Sequence, residues 1–83
     1  MKRINDGHQT NLIGSNIKAA RIKSGLSQKQ LSEKLETLAI YVCRGSMSRI
    51  ENGQRIVTDI EILGISKILN IPIERLFDVN FDT

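Results

Sequence analysis

The sequence has 83 residues, of which 40% are hydrophobic and 25% are charged. We expect one compact domain, because a chain of this length leaves no room for a second catalytic or sensory domain. No apolar run approaches the roughly 18 residues that a membrane span requires, and the start of the chain lacks the apolar segment of a secretory signal, so a cytoplasmic protein is expected. One cysteine and one histidine are too few for a disulfide framework or a protein-only zinc site. Neither a metal nor a cofactor is expected.

Positive charge is concentrated in the first two-thirds of the chain. Residues 1–55 contain ten Lys or Arg against four Asp or Glu, whereas residues 56–83 contain two against five. This asymmetry is typical of a protein with one side that faces a polyanion. A solvated charged surface is the alternative.

Both ends of the chain lack hydrophobic periodicity. Residues 1–11 are predicted to form a flexible basic arm and residues 79–83 a tail. Lys2 and Arg3 in the arm are candidates for contacts in the minor groove of DNA, with a merely disordered arm as the alternative. Phe81 in the tail is a candidate for docking on the domain itself or on a partner.

A first helix is predicted from about residue 12 to residue 24, because apolar side chains recur at helical spacing. These side chains are Ile13, Ile17 and Ala20. Gly25 follows, at a position where a left-handed residue commonly ends a helix. Arg21 lies near this end, where a cation suits the helix dipole.

A second helix is predicted to begin at Gln28, since residues 27–30, SQKQ, form a capping-box pattern. Lys29 lies in its first turn, where the helix dipole disfavours a positive charge unless an anion such as a phosphate approaches. The apolar stripe continues past Leu35, so the helix is expected to run to about residue 38 or 39.

Residues 40–43, IYVC, are poor helix formers and are predicted to connect the second helix to a third. The third helix is expected from about residue 44 to residue 52, with Met47 and Ile50 facing inward. Its other side would then carry small and basic residues, namely Arg44, Gly45, Ser46, Ser48 and Arg49. A short helix with such a polar side, supported by the short helix before it, is typical of a protein that places a helix in the major groove of DNA. An ordinary solvent-facing helix is the alternative.

Cys43 would cap this third helix, at a position where Asp, Ser or Thr is usual. A thiol at a helix N-terminus has a lowered pKa, so redox sensing is one hypothesis, and a small residue in a tolerant position is the other. Enzymatic activity is not expected, because His8 lies in the arm and Cys43 has no base near it in the sequence.

A fourth helix is predicted to follow a second capping-box pattern at residues 58–61, TDIE, and to end near residue 69. Ile60, Gly64 and Ile68 form an apolar stripe nearly opposite its core-facing side. This stripe is a candidate dimer interface, and cover by the last element or the tails is the alternative. Pro72 is predicted to begin a last element that continues to about residue 78.

Three segments of the sequence resemble the phage-repressor, Cro and Xre class of helix-turn-helix domains. They are GSNIKAARIKSGLSQKQLSEKL (14–35), SRIENG (48–53) and EILGISKILNIPIERLF (61–77), and the resemblance covers roughly residues 12–78. It implies an all-α fold, a compact five-helix bundle of the lambda-repressor-like type in which helices two and three form the helix-turn-helix. It also implies a homodimer on double-stranded DNA, with the third helix of each subunit in successive major grooves.

The resemblance further implies roles for individual residues. Those facing the base edges would be Arg44, Ser46, Ser48 and Arg49, and arginine is the commonest reader of guanine. Those meeting the DNA backbone, together with Lys29, would be Gln28, Gly45, Asn52 and Arg55. Gln28 would also brace Arg44, and Arg21 would form a structural salt bridge with Glu51.

The sequence departs from this class in the connection between the second and third helices. Twelve residues separate Leu35 from Ser48, where the class commonly has about seven. Since Leu38 continues the apolar stripe, extra helix is expected there rather than extra loop.

The sequence therefore predicts a transcriptional regulator, most simply a repressor whose occupancy blocks polymerase. The alternative is an antitoxin-like interaction module that neutralises a partner protein through the stripe of Ile60, Gly64 and Ile68 or through Phe81. Both functions are compatible with one molecule.

Overall fold

The computed structural model describes residues 9–78 of the chain. Five helices follow one another there: α1 (Gly14–Lys23), α2 (Gln28–Glu36), α3 (Arg44–Glu51), α4 (Asp59–Leu69) and α5 (Ile73–Leu76). The predicted all-α, five-helix architecture is confirmed. The predicted contacts of Lys2, Arg3 and Phe81 lie outside the described residues. Within residues 9–78, none of the helices combines the length and the apolar character needed to cross a bilayer.

The core receives buried apolar side chains from all five helices and from the segments next to them. Its members are Ile13, Ile17, Leu31, Leu35, Val42, Met47, Ile50, Ile65, Leu69 and Leu76. Burying one such side chain contributes about 1.5–3 kcal/mol relative to leaving it in water. Because α3 packs against both α1 and α2, its inner face is fixed from two sides.

Local side-chain caps begin α2 and α4 where the sequence predicts. Ser27 Oγ accepts the Gln30 backbone N–H at 3.0 Å, and Gln30 Oε1 accepts the Ser27 N–H at 2.8 Å. Thr58 and Glu61 form the same reciprocal pair at the start of α4. Both capping boxes are confirmed, and each satisfies two N–H groups that a helix N-terminus leaves without intrahelical partners.

The predicted extension of α2 to residue 38 or 39 is wrong, because α2 ends at Glu36. A Schellman motif closes the helix: the Ala39 N–H donates to Glu36 O at 2.9 Å and the Ile40 N–H donates to Leu35 O at 3.1 Å. Ala39 has φ 60°, the left-handed conformation that usually requires glycine. The added residues therefore form a turn and a connection rather than extra helix.

Residues just before α1 contact the segment that follows α3. The Thr10 backbone N–H and hydroxyl both donate to Gly53 O, at 2.7 and 2.9 Å. Gly14 at the start of α1 lies so close to α3 that a Cβ would overlap the carbonyl oxygen of Ile50. These contacts tie the residues before α1 to the C-terminal end of α3.

The predicted stripe of Ile60, Gly64 and Ile68 is not one continuous exposed surface. Gly64 is buried, and a Cβ on it would overlap Ile40 Cδ1, while Ile68 is half-buried against the core. Ile60 is 65% exposed, and Leu63 rather than Gly64 lies beside it on the outer face of α4. The last element is also shorter than the predicted helix to about residue 78. Helix α5 ends at Leu76, whose side chain is buried.

Candidate nucleic-acid interface

The two sides of α3 differ sharply in burial. Met47, Ile50 and Glu51 are buried, and together they form the side that packs on α1 and α2. On the opposite side Arg44, Gly45 and Arg49 are exposed, as is Asn52 directly after the helix. Ser46 and Ser48 are half-buried at the margins of this side. The polar residues singled out from the sequence therefore lie together on the outward side of one short helix.

A line of hydrogen bonds orders the N-terminal half of this outward side. Cys43 caps α3, and its Sγ accepts the Ser46 backbone N–H at 3.4 Å and lies 3.5 Å from Ser46 Oγ. Arg49 Nη2 donates to the same Ser46 hydroxyl at 3.1 Å. Hydrogen bonding with Ser46 lowers the pKa of the exposed Cys43 thiol below its usual value.

Gly45 keeps the centre of the outward side flat. A Cβ at this position would lie 3.8 Å from Arg49 Nη1, which is ordinary van der Waals contact. The glycine is therefore not required by packing within the protein. Its absence of a side chain matters for what approaches α3 from outside.

Arg21 and Glu51 form the salt bridge that the resemblance implies. Arg21 Nε donates to Glu51 Oε2 at 2.6 Å, and Arg21 Nη2 donates to Glu51 Oε1 at 3.0 Å. Both side chains are almost fully buried, and the hydrogen bonds to Glu51 raise the pKa of Arg21 above its ordinary value. Arg21 Nη1 also donates to Leu26 O at 2.7 Å, so the buried charge is well hydrogen-bonded.

Gln28 joins this pair instead of bracing Arg44. Its Nε2 donates to Glu51 Oε1 at 3.0 Å, which corrects the predicted contact with Arg44. Glu51 on α3 is thus bound by one side chain from α1 and one from the first turn of α2. This junction fixes the rotation of α3 about its axis, and hence the direction in which its outward side points.

Asn11 supports the other end of α3 and has no role in the sequence-based prediction. Its Nδ2 donates to Ile50 O at 3.0 Å and to Arg55 O at 2.8 Å, while its Oδ1 accepts the Gly14 N–H at 2.8 Å. Asn11 lies three residues before Gly14, the spacing of a side chain that caps a helix start, and this spacing could have indicated the contact with Gly14 from the sequence. The contact with Ile50 and Arg55 depends on tertiary packing.

Arg55, predicted to meet the DNA backbone, is occupied within the protein. Its Nη1 donates to Glu61 Oε1 at 2.9 Å and its Nη2 donates to Glu61 Oε2 at 2.8 Å. Nη1 also donates to Ile56 O, and the Arg55 guanidinium lowers the pKa of the Glu61 carboxyl. Arg55 therefore fastens the segment after α3 to the first turn of α4.

A helix with an exposed polar side that packs against the preceding helix is the arrangement found in helix-turn-helix domains. The family model described as helix-turn-helix matches residues 17–76. The chain belongs to this family, in its Xre/Cro type, and is a DNA-binding transcriptional regulator.

One solved structure with a similar fold is the crystal structure of the restriction-modification controller protein C.AhdI from Aeromonas hydrophila. The two chains superpose with a TM-score of 0.69 at 29% sequence identity, over 78% of this chain and 91% of C.AhdI. A comparison with curated proteins gives no match.

Proposed function

We propose that this protein binds specific sequences of double-stranded DNA by inserting the outward side of α3 into the major groove. The observation that carries the proposal is the pairing of a buried inner face, anchored through Glu51, with an exposed outer face that bears Arg44, Gly45 and Arg49. A major groove about 12 Å wide accepts one α-helix. The likeness to a restriction-modification controller protein supports a regulatory role.

In this proposal the DNA-contacting residues of α2, α3 and the position after α3 form a base-reading group and a backbone-contacting group. Arg44, Ser46, Ser48 and Arg49 face the base edges, with the arginines suited to guanine O6 and N7. The DNA backbone is contacted by Gln28, Lys29, Gly45 and Asn52. Arg55 is left out of this second group, because Glu61 binds both terminal nitrogens of its guanidinium, whereas Gln28 donates to Glu51 through one atom, Nε2. Binding at an operator that overlaps a promoter would make the protein a repressor.

The test compares Arg49→Ala with Lys29→Ala on a duplex selected by the purified protein from random DNA, and on an unrelated duplex. We expect the wild type to bind the selected duplex with a Kd on the order of 10⁻⁸ M or tighter at moderate salt. Arg49→Ala should lose roughly 1–3 kcal/mol on the selected duplex and relax the sequence preference. Lys29→Ala should weaken both duplexes alike and reduce the salt slope by about one. Equal losses on both duplexes for Arg49→Ala would contradict base reading.

We further propose that two copies associate through the outer face of α4. Ile60 and Leu63 are exposed there, and Ile56 is exposed just before the helix. A second copy related by two-fold symmetry would cover the same residues on both chains, as a closed dimer requires. The neighbouring positions Gly64 and Ile68 belong to the core side and are not part of this surface.

Sedimentation equilibrium tests the dimer with a matched pair of variants. Ile60→Asp should shift the protein from dimer to monomer, whereas Ile22→Asp should not, although Ile22 is also exposed, at 58%, on α1. The dimer is contradicted if the wild type sediments as a monomer at concentrations far above its Kd for DNA. Stoichiometric binding of a different protein, lost in Ile60→Asp, would instead favour the interaction-module function.

A further inference from the structure

The connection between α2 and α3 holds one aromatic side chain outward between two inward-facing neighbours. Ile40 packs against Gly64, and Val42 is only 3% exposed in the core. Tyr41 between them is 75% exposed. Because both neighbours are anchored, the backbone at Tyr41 is held in place and the side chain leaves the connection on its solvent side.

Tyr41 points to the same side of the connection as the cap of α3. Burial alternates along residues 40–43, and Cys43 at its end has an extended backbone with φ −70° and ψ 166°. This alternation of burial is the pattern in which side chains two residues apart share a side, so Tyr41 and Cys43 are both directed to solvent. Cys43 is exposed and binds the first turn of α3 through Ser46, so Tyr41 flanks the N-terminal end of that helix.

This end of α3 is where a recognition helix meets DNA in the function proposed above, on which the inference rests. Phosphates line both edges of the major groove, and tyrosine is among the side chains that donate hydrogen bonds to phosphate oxygens. We propose that the Tyr41 hydroxyl donates a hydrogen bond to a DNA phosphate beside the groove that α3 enters. The contact fixes the position of the protein on the duplex and carries no base preference.

A phosphate contact from a neutral phenol has a signature that separates it from a lysine or arginine contact. Removal of a charged contact reduces the number of released counterions and therefore the salt slope. Removal of a hydroxyl leaves that number unchanged while the hydrogen bond is lost. Loss on all duplexes at constant salt slope is therefore specific to the proposed role.

The experiment measures Kd for Tyr41→Phe, with Leu38→Ala as the matched control, on the selected and the unrelated duplex at several salt concentrations. Leu38 is exposed in the same connection but has no group that binds phosphate. We expect Tyr41→Phe to weaken binding to both duplexes about tenfold, because a hydrogen bond to a charged group is lost. Its salt slope should equal that of the wild type, and Leu38→Ala should bind as the wild type does.

A second measurement follows the same residue directly in the unmutated fold. Tyr41 is the only tyrosine of the chain, so biosynthetic 3-fluorotyrosine gives a single ¹⁹F resonance. We expect this resonance to shift when the selected duplex is added.

Unchanged affinity of Tyr41→Phe, with wild-type binding intact, overturns the hydroxyl contact alone and leaves the proposed function standing. An unmoved ¹⁹F resonance on a saturated complex does the same. Failure of the wild type to bind any duplex overturns the proposed function and this contact together.

Discussion

Among single residues, Glu51 helps to orient the proposed DNA-binding side of α3 although it is not part of that side. It accepts hydrogen bonds from Arg21 and Gln28, and it faces away from the outward side of α3. Glu51 therefore affects DNA binding by holding α3 in its orientation, without contacting DNA itself. Gly45 acts in the opposite way, because it lies on the outward side and contributes no side chain at all.

Glu51→Ala should destabilise the fold by about 3–5 kcal/mol, because it leaves the buried Arg21 charge without its partner. Urea denaturation followed by circular dichroism measures the loss. Glu33→Ala, on the exposed side of α2, is the control and should change stability by less than about 0.5 kcal/mol. A loss below about 1 kcal/mol for Glu51→Ala would contradict its structural role.

Gly45→Ala should move stability and DNA affinity in opposite directions. Alanine favours helix over glycine by about 0.5–1 kcal/mol, and outside the backbone of α3 the nearest atom to the new Cβ is Arg49 Nη1 at 3.8 Å. Thermal unfolding should therefore occur at a slightly higher temperature, while the Kd for the selected duplex rises because the methyl group lies at the contact. Unchanged affinity would show that DNA does not approach α3 at this point.

At the scale of elements, the connection between α2 and α3 is the feature that sequence reasoning described least well. Leu38 extends the apolar period of α2, and this favoured helix. The helix ends earlier because Ala39 adopts a left-handed conformation, for which alanine gives no sequence signal. By contrast, the starts of α2 and α4 were predictable, since a capping box depends only on residues three apart.

Ala39→Gly should stabilise the protein by roughly 0.5–1 kcal/mol, because glycine adopts φ 60° without the Cβ penalty. The matched control is Ala19→Gly, at an exposed position inside α1, which should lose about as much. Chemical denaturation of both variants measures the change in unfolding free energy, which should be positive for Ala39→Gly and negative for Ala19→Gly. Destabilisation by Ala39→Gly as large as that of Ala19→Gly would contradict the closing motif of α2.

At the scale of the whole molecule, long-range contacts decide what the sequence pattern leaves open. The all-α fold, the burial of Met47 and Ile50, and the outward placement of Arg49 follow from local periodicity. The contacts of Asn11 with Ile50 and Arg55 join residues far apart in the sequence, and no local pattern predicts them. The family resemblance implied a phosphate contact for Arg55. Its pairing with Glu61 instead depends on the path of the segment after α3.

The pH dependence of global stability should reflect Glu61. The folded state holds its pKa below the ordinary value of 4.5, mainly through the hydrogen bonds from Arg55. A depressed carboxyl pKa contributes stability that is complete above the unfolded pKa and is lost as the pH falls through the folded pKa. Glu61→Gln should therefore flatten the acid limb of the curve of unfolding free energy against pH. An acid limb identical to that of the wild type would contradict the contribution.

Titration of the ¹⁵N-labelled protein with the selected duplex, followed by backbone amide shifts, shows whether DNA lies against the outward side of α3. We expect the largest changes at Gly45, Arg49 and Asn52, with little change at Ile22 on the outer side of α1. Large changes at Ile22 with none along α3 would contradict it.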